Sequence, residues 1–109
     1  MKKIYLSLPI SHYDIEERRA FSVKRVRYLS EVFGCEVVNP LENGLDADVH
    51  WCEHMKRDLQ LLLGCDTIFM CKDWEYSKGC RCEHEVATTC GINVIYESNH
   101  WVFDPERKL

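Results

Sequence analysis

Apolar and polar positions follow one another along this chain in a regular order. Lys3 to Leu8 is a short apolar, β-prone run ended by Pro9. Asp14 to Phe33 carries apolar residues at 15, 23, 26, 29, 32 and 33 with charges between them, which is helical spacing, and Gly34 follows as its stop. Cys35 to Val38 is a second short strand closed by Asn39-Pro40, and Leu41 to Val49, with Asn43-Gly44 and two aspartates, reads as a loop. His50 to Leu63 is a second helix with an apolar strip at 51, 55, 59, 62 and 63, stopped by Gly64. Thr67 to Cys71 has the character of a buried strand, and Lys72 to Lys78 is a polar loop. Gly79 to Cys90 is a third helix stopped by Gly91, and Ile92 to Tyr96 is a fourth strand. A polar tail, residues 97–109, contains Trp101 and Phe103.

The order β-α-β-α-β-α-β predicts an α/β fold, a parallel sheet covered by helices on both faces. Right-handed crossovers make it a small doubly wound, flavodoxin- or Rossmann-like domain spanning 1–109, with strand order 2-1-3-4. Such sheets bind ligands beyond the carboxyl ends of their strands. That crevice is expected between Ser7 to Ser11, Asn39 and the loop from Lys72 to Lys78.

At 109 residues, 46% hydrophobic and 29% charged, the composition is that of an ordinary globular chain. Fourteen Lys and Arg against 18 Asp and Glu give a formal charge of −4. That balance argues against a nucleic-acid binder working through a broad basic face, and equally against an electrostatic membrane anchor. Seven scattered cysteines, an odd number, do not form a disulfide framework. The apolar run Ile4 to Ile10 is too short for a signal peptide and is followed at once by polar residues. No run of about 18 apolar residues exists to span a membrane. A soluble, reduced, cytoplasmic protein is expected, with most cysteines acting as small core residues.

Two carboxylates interrupt this pattern. Asp58 lies on the apolar strip of the second helix, three residues from Met55 and four from Leu62. Glu83 shares a face of the third helix with Val86, Ala87 and Cys90, whereas Glu85 faces outward with Thr88 and Thr89. A buried carboxylate is costly unless paired, hydrogen-bonded or used in chemistry. Each therefore either caps a loop or pairs with an arginine such as Arg57 or Arg81, or the two converge on one pocket. Two convergent carboxylates suit attack at an anomeric carbon, one as nucleophile and the other protonating the leaving group.

Five segments carry a resemblance: Lys3-Ile4-Tyr5-Leu6-Ser7 with Pro9; Glu36-Val37-Val38-Asn39-Pro40; Arg57-Asp58-Leu59 with Cys65-Asp66; Trp74-Glu75; and Ser77-Lys78-Gly79-Cys80-Arg81-Cys82-Glu83-His84-Glu85-Val86-Ala87. In this order they resemble the nucleoside 2-deoxyribosyltransferase superfamily up to Tyr96, and within it a small branch described as domain of unknown function 4406. The resemblance implies that Glu83 is the nucleophile and that Asp58 is the second catalytic carboxylate of the related 2'-deoxynucleoside 5'-phosphate N-hydrolases. Tyr5 matches a tyrosine that contacts the nucleophile. Ser77 stands where the phosphate-accepting hydrolases have serine and the transferases aspartate.

Helix polarity agrees with a phosphate here: Ser77, Lys78 and the Gly79 amide precede a helix start, which attracts anions. The same dipole is expected to keep Glu83 ionised near neutral pH, as a nucleophile needs. Two positions depart from the relatives' pattern: Leu8 and Arg81 stand where they have glycine. Leu8 narrows the approach of a phosphate, whereas Arg81 turned inward adds a cation. Ser7, Pro9, Asn39 and Trp74, the last stacking on a base or simply packing, complete the expected substrate-binding set.

No metal or other cofactor is expected. Cys80-x-Cys82-x-His84 lacks the paired knuckles of a zinc site, and a helix points Cys82 and His84 apart. His12, His50 and His54 read as surface or capping residues, Trp51 as core, and the charged face of the first helix, Arg25 included, as solvated. Cleavage of an N-glycosidic bond in a nucleoside or its 5'-monophosphate is the leading expectation, by hydrolysis or deoxyribosyl transfer. The alternatives are a non-catalytic nucleotide-binding module and an NAD-type glycohydrolase. A homo-oligomer, at least a dimer, is implied by the resemblance and by the aromatic residues of the tail.

Overall fold

The computed structural model describes residues 1–97, so the expectations for Trp101 and Phe103 fall outside the described residues. Four strands form one sheet of order β2-β1-β3-β4: β1 (Lys3–Ser7), β2 (Glu36–Val38), β3 (Thr67–Met70) and β4 (Asn93–Tyr96). Every pairing is parallel, with Tyr5 opposite both Val38 and Ile68, and Ser7 opposite Met70. Three helices connect the strands: α1 (Ile15–Phe33), α2 (Trp51–Leu63) and α3 (Lys78–Thr89). The α/β class and the strand order are those read from the sequence.

Local signals account for the boundaries. The Asp14 carboxylate caps α1 by accepting from the amides of Glu16 and Glu17, and Gly34 closes it at φ 63°, a conformation that costs glycine nothing. Ser77 caps α3 by accepting from the Cys80 amide. Pro9 follows β1 and Pro40 opens a 3₁₀ turn, Pro40–Glu42, after β2.

The period-two alternation of β1 divides the core. Ile4, Leu6 and Leu8 pack with Leu29, Phe69 and Ile95 on the α1 face. Tyr5 packs with Leu62, Ile68, Met70, Cys80 and Ala87 under α2 and α3. Ser7 points the same way as Tyr5, and both hydroxyls therefore emerge beneath α3.

Two assignments made from spacing are overturned. In α1 the buried residues are Ser22, Arg25 and Leu29, whereas Val23 and Val32 face solvent. Arg25 is not solvated. Its guanidinium pairs with Glu97, whose other oxygen accepts from the Lys72 amide at 2.6 Å, a clasp across the ends of β3 and β4. A buried partner at Glu97 draws in a charge that spacing alone assigns to water. Trp51 is not core either: it begins α2 at the sheet edge, 43% exposed, and Leu63 at the other end of the same strip is 57% exposed. Among the described residues no helix is long and apolar enough to cross a membrane.

Candidate active site

A cavity of about 440 Å³ opens at the carboxyl ends of the strands. Its lining includes Leu8, Ile10 and Ser11 from the β1–α1 segment, Ile15 and Arg19 from α1, and Ser77, Gly79, Cys80 and Glu83 from α3. The segment from Pro40 to Val49 folds over it and contributes Leu41, Asn43, Leu45 and Ala47. From α2 come Trp51, His54, Met55 and Asp58. The two carboxylates singled out by their spacing thus face one space, although they are 25 positions apart in the chain.

Glu83 is the better fixed of the two. It is 5% exposed, and both oxygens are engaged: the Tyr5 hydroxyl donates to Oε2 and the Ser7 hydroxyl to Oε1 at 2.8 Å. Burial pushes its carboxyl up to about 7, against the two hydroxyl donors that lower it and with a further upward push from Asp58. The helix dipole, expected to keep Glu83 ionised near neutral pH, does not offset this burial, and the carboxyl is divided between its two forms there. Glu83 is the sixth residue of α3, beyond the first turn in which free amides and dipole act, and desolvation prevails. The same burial, reinforced by Glu83 and Asp58, drives the Tyr5 hydroxyl well above its ordinary value, so Tyr5 is a donor throughout the physiological range.

Asp58 is 7% exposed and accepts at Oδ1 from the side-chain amide of Asn43 at 2.9 Å. Burial raises its carboxyl too, moderated by Asn43, His54 and Arg57. Neither carboxylate forms an ion pair with Arg57 or Arg81. Arg57 donates to the Asn43 carbonyl and Arg81 to that of Glu75. The arginine-pairing account of these acids is therefore not what the fold adopts.

The remaining residues expected at the site divide into two groups. Ser77 and Gly79 line the cavity, and a Cβ at Gly79 would meet Met55 Sδ at 3.3 Å, so the helix start comes close to α2. Tyr5 and Ser7 lie behind Glu83 rather than on the wall. Pro9, Asn39, Trp74, Lys78 and Arg81 do not line the cavity. The Pro9 carbonyl accepts from Arg18, and Asn39 donates to Ser22 Oγ while capping the Pro40 turn. Lys78 sits with its ammonium 5.1 Å from the Trp51 ring centroid. Trp74 stacks on His84 at 4.4 Å, and His84 Nε2 meets the Tyr96 hydroxyl at 2.7 Å. The crevice is thus built less from the Lys72–Lys78 loop than expected and more from residues 41–49.

Three polar residues of the wall escaped sequence reasoning: Asn43, Arg19 and, as a wall residue, His54. Asn43-Gly44 signals only a turn, and Arg19 sits in a run of charges that looks uniformly solvated. His50 does cap α2, as its position suggested. All seven cysteines are free, and burial lifts the Cys80 thiol, beside Glu83, to about 11. Among the described residues no group of three His, Cys, Asp or Glu side chains is placed to hold a metal ion.

Fold and site together define an α/β, Rossmann-like domain with a carboxylate-bearing cavity at the carboxyl edge of its sheet. The chain belongs to the family described as "Domain of unknown function (DUF4406)", which matches residues 2–96 and so takes in every cavity residue. No curated protein matches the chain.

Proposed function

We propose that this protein cleaves the N-glycosidic bond of a nucleoside or its 5'-monophosphate, with Glu83 as nucleophile and Asp58 as acid/base. The observation that carries the reading is the convergence of two buried carboxylates on one cavity, one of them held by two hydroxyl donors. Ionised Glu83 attacks the anomeric carbon as the bond to the base nitrogen breaks. The reactive form of the pair carries its one proton on Asp58 rather than on Glu83, and Asp58 supplies that proton to the departing base. Asp58, now a carboxylate, takes a proton from water, whose oxygen displaces Glu83 from the glycosyl-enzyme and restores both acids. The similarity of the Ser77–Ala87 segment to deoxyribosyltransferase-type enzymes supports the same roles.

Tyr5 and Ser7 stabilise the carboxylate form of Glu83 and hold its plane, which limits the conformational freedom lost on attack. The apolar wall of Leu8, Ile10, Leu41, Leu45 and Met55 suits the faces of a sugar and base. The test is chromatographic analysis of products from a panel of nucleosides, mononucleotides and NAD. Release of free base that disappears in Glu83→Gln supports the enzyme. Saturable binding without release overturns it in favour of a nucleotide-binding module.

A further inference from the structure

Asn43 has every polar atom of its buried side chain engaged. Its Oδ1 accepts from the Leu45 amide at 3.0 Å, and its Nδ2 meets Asp58 Oδ1 at 2.9 Å and His54 Nδ1 at 3.1 Å. His54 Nε2 lies 3.0 Å from the Asp46 carbonyl oxygen. A carbonyl only accepts, so Nε2 carries the ring proton and Nδ1 accepts from Asn43. Both ends of the network thus fix the Asn43 amide with its nitrogen toward Asp58. The N–H aimed at Oδ1 occupies one of its two lone pairs and makes Oδ1 the less basic oxygen of the carboxylate. When Asp58 is protonated, the proton therefore sits on Oδ2, which has no hydrogen bond among the described residues.

We infer that Asn43 is a positioning residue that confines the transferable proton of Asp58 to the oxygen left free for a substrate. The use of that proton in catalysis rests on the acid/base role proposed for Asp58. The titratable and charged groups facing Asp58 are His54 and Arg57 on its own helix, with Glu83 and Tyr5 across the cavity.

The test compares the native chain with Asn43→Asp and Asn43→Ser. Asn43→Asp retains the volume and the acceptor for the Leu45 amide but replaces the donor to Asp58 with an acceptor. Asn43→Ser keeps a turn-capping oxygen that is too short to reach Asp58. The Asp58 carboxyl is followed by carbon NMR against pH, and base release is followed in parallel. Both variants are expected to titrate Asp58 higher by about one pH unit or more, because a donor to the charged form is lost and, in Asn43→Asp, a like charge is added. They are also expected to lower kcat about tenfold or more, with KM changed less than about twofold.

A role confined to the turn survives Asn43→Ser, which adds no charge, so an unmoved Asp58 midpoint in that variant overturns the inference. A moved midpoint with unchanged kcat overturns its catalytic part. If neither variant folds, the native protein decides: the Asn43 side-chain amide protons must shift with the Asp58 midpoint, and their failure to do so overturns the inference. A native chain that releases no base from any substrate removes the proposed function, while the carboxyl titration still decides the positioning.

Discussion

The Tyr5 hydroxyl donates to Oε2 of Glu83, joining the middle of the first strand to the last helix across 78 positions of chain. Both groups are buried, and neither has an ionic partner among the described residues. The phenol remains protonated because burial, and then the neighbouring Glu83 and Asp58, make charging it unfavourable. Tyr5 therefore acts on Glu83 only by donating, which makes its removal a measurable change in one carboxyl.

Tyr5→Phe deletes that donor and leaves Ser7 alone on the carboxylate. The Glu83 carboxyl rises further above about 7. A hydrogen bond to a charged group contributes about 1.5–3 kcal/mol, equivalent to about one to two pH units. The acid limb of the kcat/KM profile should move up by that amount, with a smaller rate above it. A limb that stays in place would show that Glu83 does not govern the reaction.

Glu83 also makes folding depend on pH. Its carboxyl binds a proton more tightly folded, at about 7, than unfolded, at 4.5. Its contribution is complete below 4.5 and is lost as pH rises through 7. At about 1.4 kcal/mol per unit, the loss approaches about 3 kcal/mol by pH 8. Glu83→Gln should therefore abolish base release yet be more stable than the native chain at pH 8, by about 2–3 kcal/mol in urea. The two should converge near pH 4. Equal stability at both values would mean that the carboxyl is not desolvated.

Phosphate recognition at the cavity is expected to be modest. Ser77 and the Gly79 amide face the cavity, but Lys78 lies over Trp51 and Arg81 is turned to the Glu75 carbonyl. Among the described residues Arg19 is the one Lys or Arg side chain lining the cavity, and its side chain is 43% exposed. A deoxynucleoside 5'-monophosphate should bind about tenfold more tightly than its nucleoside at low salt. Ser77→Asp should narrow or reverse that gap. Calorimetry at two salt concentrations checks it; equal affinities would show that this helix start does not read phosphate.

Most of the architecture was legible because each break is chemical: Pro9 and Pro40 lack an amide donor, Gly34 and Gly91 take left-handed backbone, and Gly64 follows the last turn of α2. The two acids were legible as charged residues on apolar faces. The face of α1 was not, because Arg25 is buried by a partner 72 positions away, and no local spacing reports such a partner. Asn43 was missed for the same reason. Its local role, the turn to Leu45, is the one an Asn-Gly pair announces, whereas its bond to Asp58 comes from the folding of residues 41–49 onto α2.

Arg25 offers a test remote from the cavity. Arg25→Met leaves the Glu97 carboxylate buried beside the Lys72 amide without its cation. Such a loss costs about 3–5 kcal/mol, seen as a lower urea midpoint. Adding Glu97→Gln should recover part of it. A midpoint unchanged by Arg25→Met would mean that the clasp is solvated.

Because β1 turns Ile4 and Leu6 toward α1 and Tyr5 and Ser7 toward Glu83, its alternation does two jobs at once. A deletion of one residue within the strand would present leucine to the carboxylate and drive two hydroxyls into an oily layer without acceptors. No intermediate version keeps either half. This stretch of chain can therefore drift by substitution but not by insertion or loss, and a functioning descendant must preserve its parity.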